Sequence, residues 1–174
     1  MDLRKKKNLR AIREAFFEIR SLKELEQMTV TELVNKAEIS RATFYLHYRD
    51  IYDLSQQLQQ EVIRSAIERL CDSTESLNDS TVFLRKMVDA LYRESEAISV
   101  LFSGSQFPVL PVMLEDNLKA FIYRRAPHLE NDHRLSLYLS YHIFGGFSAF
   151  MRNGDKFGLT KFLEILEQIQ IPLP

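Results

Sequence analysis

One cysteine, Cys71, stands in 174 residues. That excludes an intramolecular disulfide and a multi-cysteine zinc site, and it fits a reducing, cytoplasmic setting. No stretch approaches the ~20 uninterrupted apolar residues of a membrane-spanning helix, so no membrane partner is expected. The opening MDLRKKKNLR carries charges with no apolar run behind them and does not read as a secretory signal. Internal repeats, low-complexity tracts and the alternating pattern of strands are missing. So are G-x-S-x-G, H-E-x-x-H and the phosphate-binding P-loop, and no enzyme activity is expected. His128 and His133 flank acidic residues in HLENDH. They fall in an expected loop without a third ligand, so no metal or cofactor is expected either.

What is present is 45% apolar sequence with a formal net charge of −1, enough to bury a core in one domain or two small ones. The charge is uneven. Residues 1–13 carry Arg4, Lys5, Lys6, Lys7, Arg10 and Arg13 against Asp2. Residues 1–55 hold 11 basic and 9 acidic groups, and residues 56–174 hold 12 and 15. A protein that meets a polyanion with one end only has this distribution; a solvated, charged N-terminus has it too.

The most informative stretch is Thr29 to Leu54, TVTELVNKAEISRATFYLHYRDIYDL. Thr29 with Glu32 is a capping box that starts a helix over Val30 to Ala37. Glu38-Ile39 makes a turn. Ser40 is an N-cap for a second helix, about Arg41 to Tyr48, and Asp50 caps a third beginning at Ile51. Ile39, Phe44 and Tyr48 are placed to close a small core with Leu33 and Val34. Arg41, Ala42, Thr43 and Tyr45 are left near the exposed N-terminal end. A helix fits the B-DNA major groove, and a recognition helix offers its N-terminal residues to base edges. Arg41 suits the N7 and O6 of guanine, and Thr43, Tyr45 and His47 have polar tips suited to phosphate or base edges.

This run resembles the TetR family of bacterial transcription regulators, whose signature is approximately T-V-x-x-I-A-x-x-A-G-V-S-x-G-T-L-Y-x-H-F-x-x-K-x-x-L. Thr29, Val30, Ala37, Ser40, Thr43, Tyr45, His47 and Leu54 match it, and Leu33, Val34, Ile39, Ala42, Phe44 and Tyr48 are conservative. KELEQMTVTEL, together with TFYLHYRDIYDL, looks most like the subgroup containing the dihydroxyacetone-kinase regulators. The resemblance implies DNA contacts at Thr31, Ser40, Arg41, Ala42, Thr43, Tyr45 and His47, and the basic N-terminal run offers Lys5, Lys6 and Lys7 as phosphate contacts beside them. Two positions depart from the pattern. The turn glycine is Glu38, which at φ > 0 costs on the order of 1 kcal/mol. The lysine that normally meets a phosphate is Ile51, with Arg49 nearby as its substitute.

Around this motif the spacing predicts an all-α chain of about nine helices: a three-helix head over residues 1–50 and a helical-bundle body over 51–174. Leu9, Ile12, Phe16 and Ile19 give a first helix from about Lys5 to Arg20, with Leu22 and Leu25 tucked into the same core. A long helix runs from Ile51 to about Cys71, followed by a polar break at residues 72–80. Next comes a helix with Phe83, Leu84, Met87, Val88, Leu91 and Tyr92 inward, then a short one over Glu96 to Phe102. Gly104, Pro108 and Pro111 interrupt regular structure until Val112, and Pro127 ends the helix that follows. The last two helices are placed at 132–153, ended by Gly154, and at 160–170. Gly145-Gly146 suggests that another backbone comes close there.

In TetR-like proteins the last two helices pair with their copies. The apolar excess of these helices agrees, and Gly145, Gly146, Phe162 and Leu166 are the candidate dimer contacts. A twofold dimer sets two recognition helices ~34 Å apart and reads an inverted-repeat operator in double-stranded DNA. The resemblance also implies a small-molecule effector. Candidate lining residues are Met87, Tyr92, Phe102, Phe107, Met113, Phe121, Tyr138, Tyr141 and His142, although aromatics at helical spacing also serve as plain core and His142 as a hydrogen-bonded core histidine. The expected function is a homodimeric repressor released by its effector. The alternative is a helical adaptor or coactivator that acts through a protein partner.

Overall fold

The computed structural model of the chain describes residues 3–69 and 80–168, without the side chains of 80–85, 150–151, 153–160 and 162–168. Among the described residues it is all-helical. Eight α-helices follow in order: α1 Leu3–Arg20, α2 Val30–Lys36, α3 Arg41–Tyr45, α4 Ile51–Glu68, α5 Ser80–Arg93, α6 Ser95–Leu101, α7 Val109–Arg125 and α8 His133–Gln168. Short 3-10 turns lie at Leu25–Gln27, Gly104–Gln106 and Pro127–Leu129. Among the described residues no single helix is long and apolar enough to cross a membrane.

The chain divides into two compact units. The first is Met1–Glu61 with Val100–Phe107, and the second is Val62–Ser99 with Pro108–Pro174. The division thus falls inside α4, whereas the sequence suggests residue 50, and a distant segment joins the first unit.

The first unit is built on α1, which buries Ile12, Ala15, Phe16 and Ile19, the repeat of one helical face. α2 packs on α1, and α3 on α2. Leu33, Val34, Phe44, Tyr48, Leu54 and Leu58 complete the core. Burying a side chain as large as Phe16 or Phe44 stabilises by roughly 1.5–3 kcal/mol. Leu25 is buried, but Leu22 is 86% exposed. It follows the C-terminus of α1, where its N–H bonds the Ile19 carbonyl at 3.0 Å, and that turn carries it off the apolar face.

In the second unit α5 and α7 both pack on α8, with Val88, Leu114, Leu118, Ile122, Leu139 and Ile143 buried. Several expectations are corrected here. α7 begins at Val109, not Val112, and includes Pro111. A proline in the first helical turn lacks an N–H that would have no intrahelical partner anyway. α8 is one helix of 36 residues, running through Gly154 and Gly158 where the spacing predicts two helices. Glycine weakens a helix by ~1 kcal/mol but adopts its dihedrals freely, so it stops a helix only when the chain has somewhere better to go. A Cβ on Gly145 would meet nothing within 4 Å, so among the described residues no backbone crosses closely at Gly145. Tyr92, expected inward, is exposed. Cys71 and the break at 72–79 lie outside the described residues.

Candidate nucleic-acid interface

The turn between α2 and α3 is set by main-chain hydrogen bonds. Ile39 N–H donates to the Val34 carbonyl at 3.0 Å and Glu38 N–H to the Asn35 carbonyl at 3.3 Å. This pair of bonds is a Schellman closure, which requires a left-handed residue between them. Glu38 fills that place at φ 53°. The two satisfied carbonyls offset the ~1 kcal/mol that a non-glycine residue loses in this conformation.

Side-chain caps start the three helices of the motif. The Thr29 hydroxyl accepts the Glu32 N–H at 3.2 Å, and the Glu32 carboxylate pairs with Lys23. The Ser40 hydroxyl accepts the Thr43 N–H at 3.0 Å and lies 2.8 Å from the Thr43 hydroxyl. Asp50 accepts the Asp53 N–H at 2.8 Å. α3 is shorter than expected, ending at Tyr45 rather than Tyr48. His47 N–H turns in to the Phe44 carbonyl at 2.9 Å, which tightens the last turn and carries Tyr48 into the core beside Phe44, with ring centroids 5.6 Å apart. Burial pushes the Tyr48 phenol up from its ordinary pKa.

The outer face gathers three residues that lie apart in sequence. Arg41 Nη1 donates to the Thr31 hydroxyl at 3.0 Å, and Nη2 sits 3.5 Å from the Tyr45 hydroxyl. Tyr45 is 50% exposed, its ring edge-on to buried Phe44 at 5.4 Å. One long cation is therefore steadied by two neutral hydroxyls, with donors left over for an incoming acceptor. Ser40, Arg41 and Ala42 are exposed, while Thr43 and His47 are half-buried. Lys5, Lys6 and Lys7 are exposed near the start of α1, whose first turn holds no acidic residue. Positive charge at a helix N-terminus opposes the macrodipole by ~0.3–1 kcal/mol, so helix stability does not account for these lysines.

The edge at the start of α4 has a different character. Ile51 is 4% exposed, so it belongs to the core. Arg49 donates its N–H to Asp53 at 2.8 Å, with its guanidinium 3.5 Å from the same carboxylate. The Arg49 N–H above all, with help from Gln57, holds the Asp53 carboxyl below its usual range. Arg49 thus has an internal counter-charge that Arg41 lacks among the described residues. Leu46 at 79% and Tyr52 at 55% stand exposed beside this edge. Sequence reading misses both, since each falls where the motif admits any residue.

The candidate effector residues are drawn from both units. Phe102 and Phe107 belong to the first unit, and Met87, Tyr92, Met113, Phe121, Tyr138, Tyr141 and His142 to the second. Tyr138 and His142 stack with ring centroids 4.0 Å apart, and His142 Nδ1 lies 2.9 Å from the Tyr138 carbonyl. Burial pushes the Tyr138 phenol up to about 12. Tyr141 points outward at 72% exposure, as do Leu137 and Phe144. These three, with Gly145, share one face of α8. The side chains of Phe162 and Leu166 lie outside the described residues. Among the described residues no three His, Cys, Asp or Glu side chains are grouped to hold a metal. A scan of the chain against protein-family models and a search of curated proteins both return no match.

Proposed function

We propose that this chain is a DNA-binding transcription regulator of TetR type, a homodimer that reads double-stranded DNA with α3 and acts as a repressor released by a small-molecule effector. The observation that carries the reading is the exposed Arg41, steadied by Thr31 and Tyr45 at the capped start of α3. A guanidinium presented this way suits the two acceptors of a guanine edge. Lys5, Lys6 and Lys7 supply phosphate contacts that add affinity without sequence information. The TetR likeness rests on the motif residues and on their arrangement around the Glu38 turn.

The dimer is supported by α8. Leu137, Tyr141 and Phe144 recur at helical spacing in solvent, and the open space at Gly145 admits a second helix. An apolar stripe of this kind on a protein surface is a mark of association. Two copies related by a twofold axis bring two α3 helices to successive major-groove faces.

Selection from a random duplex library tests the reading. The expected product is an inverted repeat with half-sites about one helical turn (~10 bp) apart. A pool with no enriched sequence after repeated rounds contradicts it.

A second reading is favoured by the α4 edge: an adaptor that works through a protein partner. There Ile51 is buried, Arg49 is occupied by Asp53, and Leu46 and Tyr52 are exposed. It predicts that Leu46→Ser and Tyr52→Ser weaken partner binding and leave DNA affinity unchanged.

A further inference from the structure

The segment Val100–Phe107 is remote in sequence from the rest of the first unit and nevertheless belongs to it. Leu101 and Phe102 are fully buried. The polar contacts around them are specific. Arg20, at the last residue of α1, is 3% exposed. Its Nη2 donates to the Ser103 carbonyl at 2.9 Å and lies 3.4 Å from the Glu24 carboxylate, while Nη1 donates to the Lys23 carbonyl at 2.9 Å. Gln59 of α4, buried at 2%, donates to the Leu101 carbonyl at 3.0 Å and reaches Gln106 at 3.4 Å. Ser105 donates to the Glu26 carboxylate. Gly104 stands at φ +55°, and a Cβ there would fall 2.0 Å from a Glu24 oxygen.

Two features mark this as a clasp and not as further core. Arg20 donates its two best hydrogen bonds to main-chain carbonyls, and its Nε has no partner among the described residues. A buried cation left incompletely satisfied adds little net stability compared with an apolar side chain of the same volume, but it fixes where the carbonyls must lie. The clasp also holds α1 through Arg20 and α4 through Gln59, whereas the packing of α2 on α1 and of α3 on α2 does not pass through it.

We propose that residues 100–107 form a releasable strap, clasped to α1 and α4 by Arg20 and Gln59, and that its opening is a local event separate from unfolding of the α1–α3 core. Its ends run on into α6 and α7, so a displacement of either helix pulls directly on the clasp. Release removes the link that Arg20 and Gln59 make between α1 and α4. The strap therefore gives the first unit two arrangements, one tied and one free. The inference does not depend on DNA binding.

Native-state hydrogen exchange on the full chain tests it. The reporters are the amides of Gln106 and Phe107, bonded within the strap at 3.1 and 3.2 Å, against those of Ile12 to Ile19. In the parent, the strap amides are expected to exchange through an opening with a smaller denaturant dependence than global unfolding, because it exposes Leu101 and Phe102 but not the buried face of α1, while the α1 amides follow global unfolding. Gln59→Leu, which keeps the volume but removes the α4 half of the clasp, is expected to speed strap exchange about tenfold, the cost of one buried hydrogen bond, and Gly104→Ala, which crowds Glu24 and strains the turn, to speed it at least as much. The α1 amides, which exchange through global unfolding, speed by the same factor, whereas Ile12→Val, which weakens the α1 core in the tied and the free arrangement alike, speeds the α1 amides and leaves the strap amides unchanged. Strap and α1 amides that share one denaturant dependence in the parent overturn the proposal, as do clasp variants that speed neither set, or an Ile12→Val variant that speeds the strap amides together with those of α1.

Discussion

α3 and α8 leave side chains in solvent in different ways. α3 exposes Arg41 and Tyr45, with the Arg41 guanidinium held between the Thr31 and Tyr45 hydroxyls and the helix set by a capped start and a Schellman turn. α8 exposes Leu137, Tyr141 and Phe144 beside a glycine, within 36 residues of regular helix. The first face is polar, small and held in register by local hydrogen bonds. The second is apolar and needs only helical spacing. A polar face with spare donors suits a ligand whose acceptors have fixed positions, and an apolar stripe suits a surface like itself. In the proposed function the two faces take different partners, DNA and a second copy, and each proposal can be broken separately.

The largest effect is expected on α8. Placing a charge in the stripe by Phe144→Glu or Tyr141→Glu buries an unpaired carboxylate in the proposed interface, a loss of about 2–4 kcal/mol. Sedimentation is expected to show a dimer becoming a monomer at micromolar concentration. A variant that stays dimeric removes α8 from the interface. On α3, Arg41→Ala is expected to cost ~1–3 kcal/mol of DNA affinity and to relax discrimination at one base position. Uniform weakening across all duplexes would make Arg41 a phosphate contact instead.

Two smaller effects concern the frame that holds α3. Glu38→Gly is expected to stabilise the fold by about 1 kcal/mol by relieving the left-handed conformation, read as a higher denaturant midpoint with unchanged slope. A loss of stability would mean that the Glu38 side chain has a role that its backbone angle does not reveal. Asp53→Ala removes the acceptor for the Arg49 N–H. The folded-state pKa of Asp53 lies below its ordinary value, so its contribution is present above pH ~4 and is lost as pH falls through the lowered folded value. The variant is therefore expected to be less stable than the parent at pH 7, with the gap closing in acid. A gap that persists unchanged in acid would assign the effect to something other than the carboxylate charge.

The motif is legible in the sequence because its signals are local. Thr29, Ser40 and Asp50 act within three residues of themselves, so cap chemistry read from sequence survives folding. The turn at Glu38 is legible for the same reason. What sequence does not show depends on distance or on alternatives. Arg20 and Gln59 look like ordinary polar residues beside an apolar stripe until residues 100–107 fold back over them. Leu22 has the composition of a core residue and the position of a turn residue, and position wins. Gly154 and Pro111 read as breaks from residue type alone, although one only weakens a helix and the other is harmless in a first turn. The two-unit division at Glu61 is invisible in composition, because α4 is uniform across it.

The central claim is that α3 reads DNA sequence while lysines elsewhere supply charge. Fluorescence anisotropy on the selected duplex and on a scrambled one, at two salt concentrations, tests it most directly. The account predicts selective binding to the first duplex, a steep loss of affinity with salt, and loss of selectivity but not of salt dependence in Arg41→Ala. Equal, weak binding of the parent to both duplexes at low salt would contradict it.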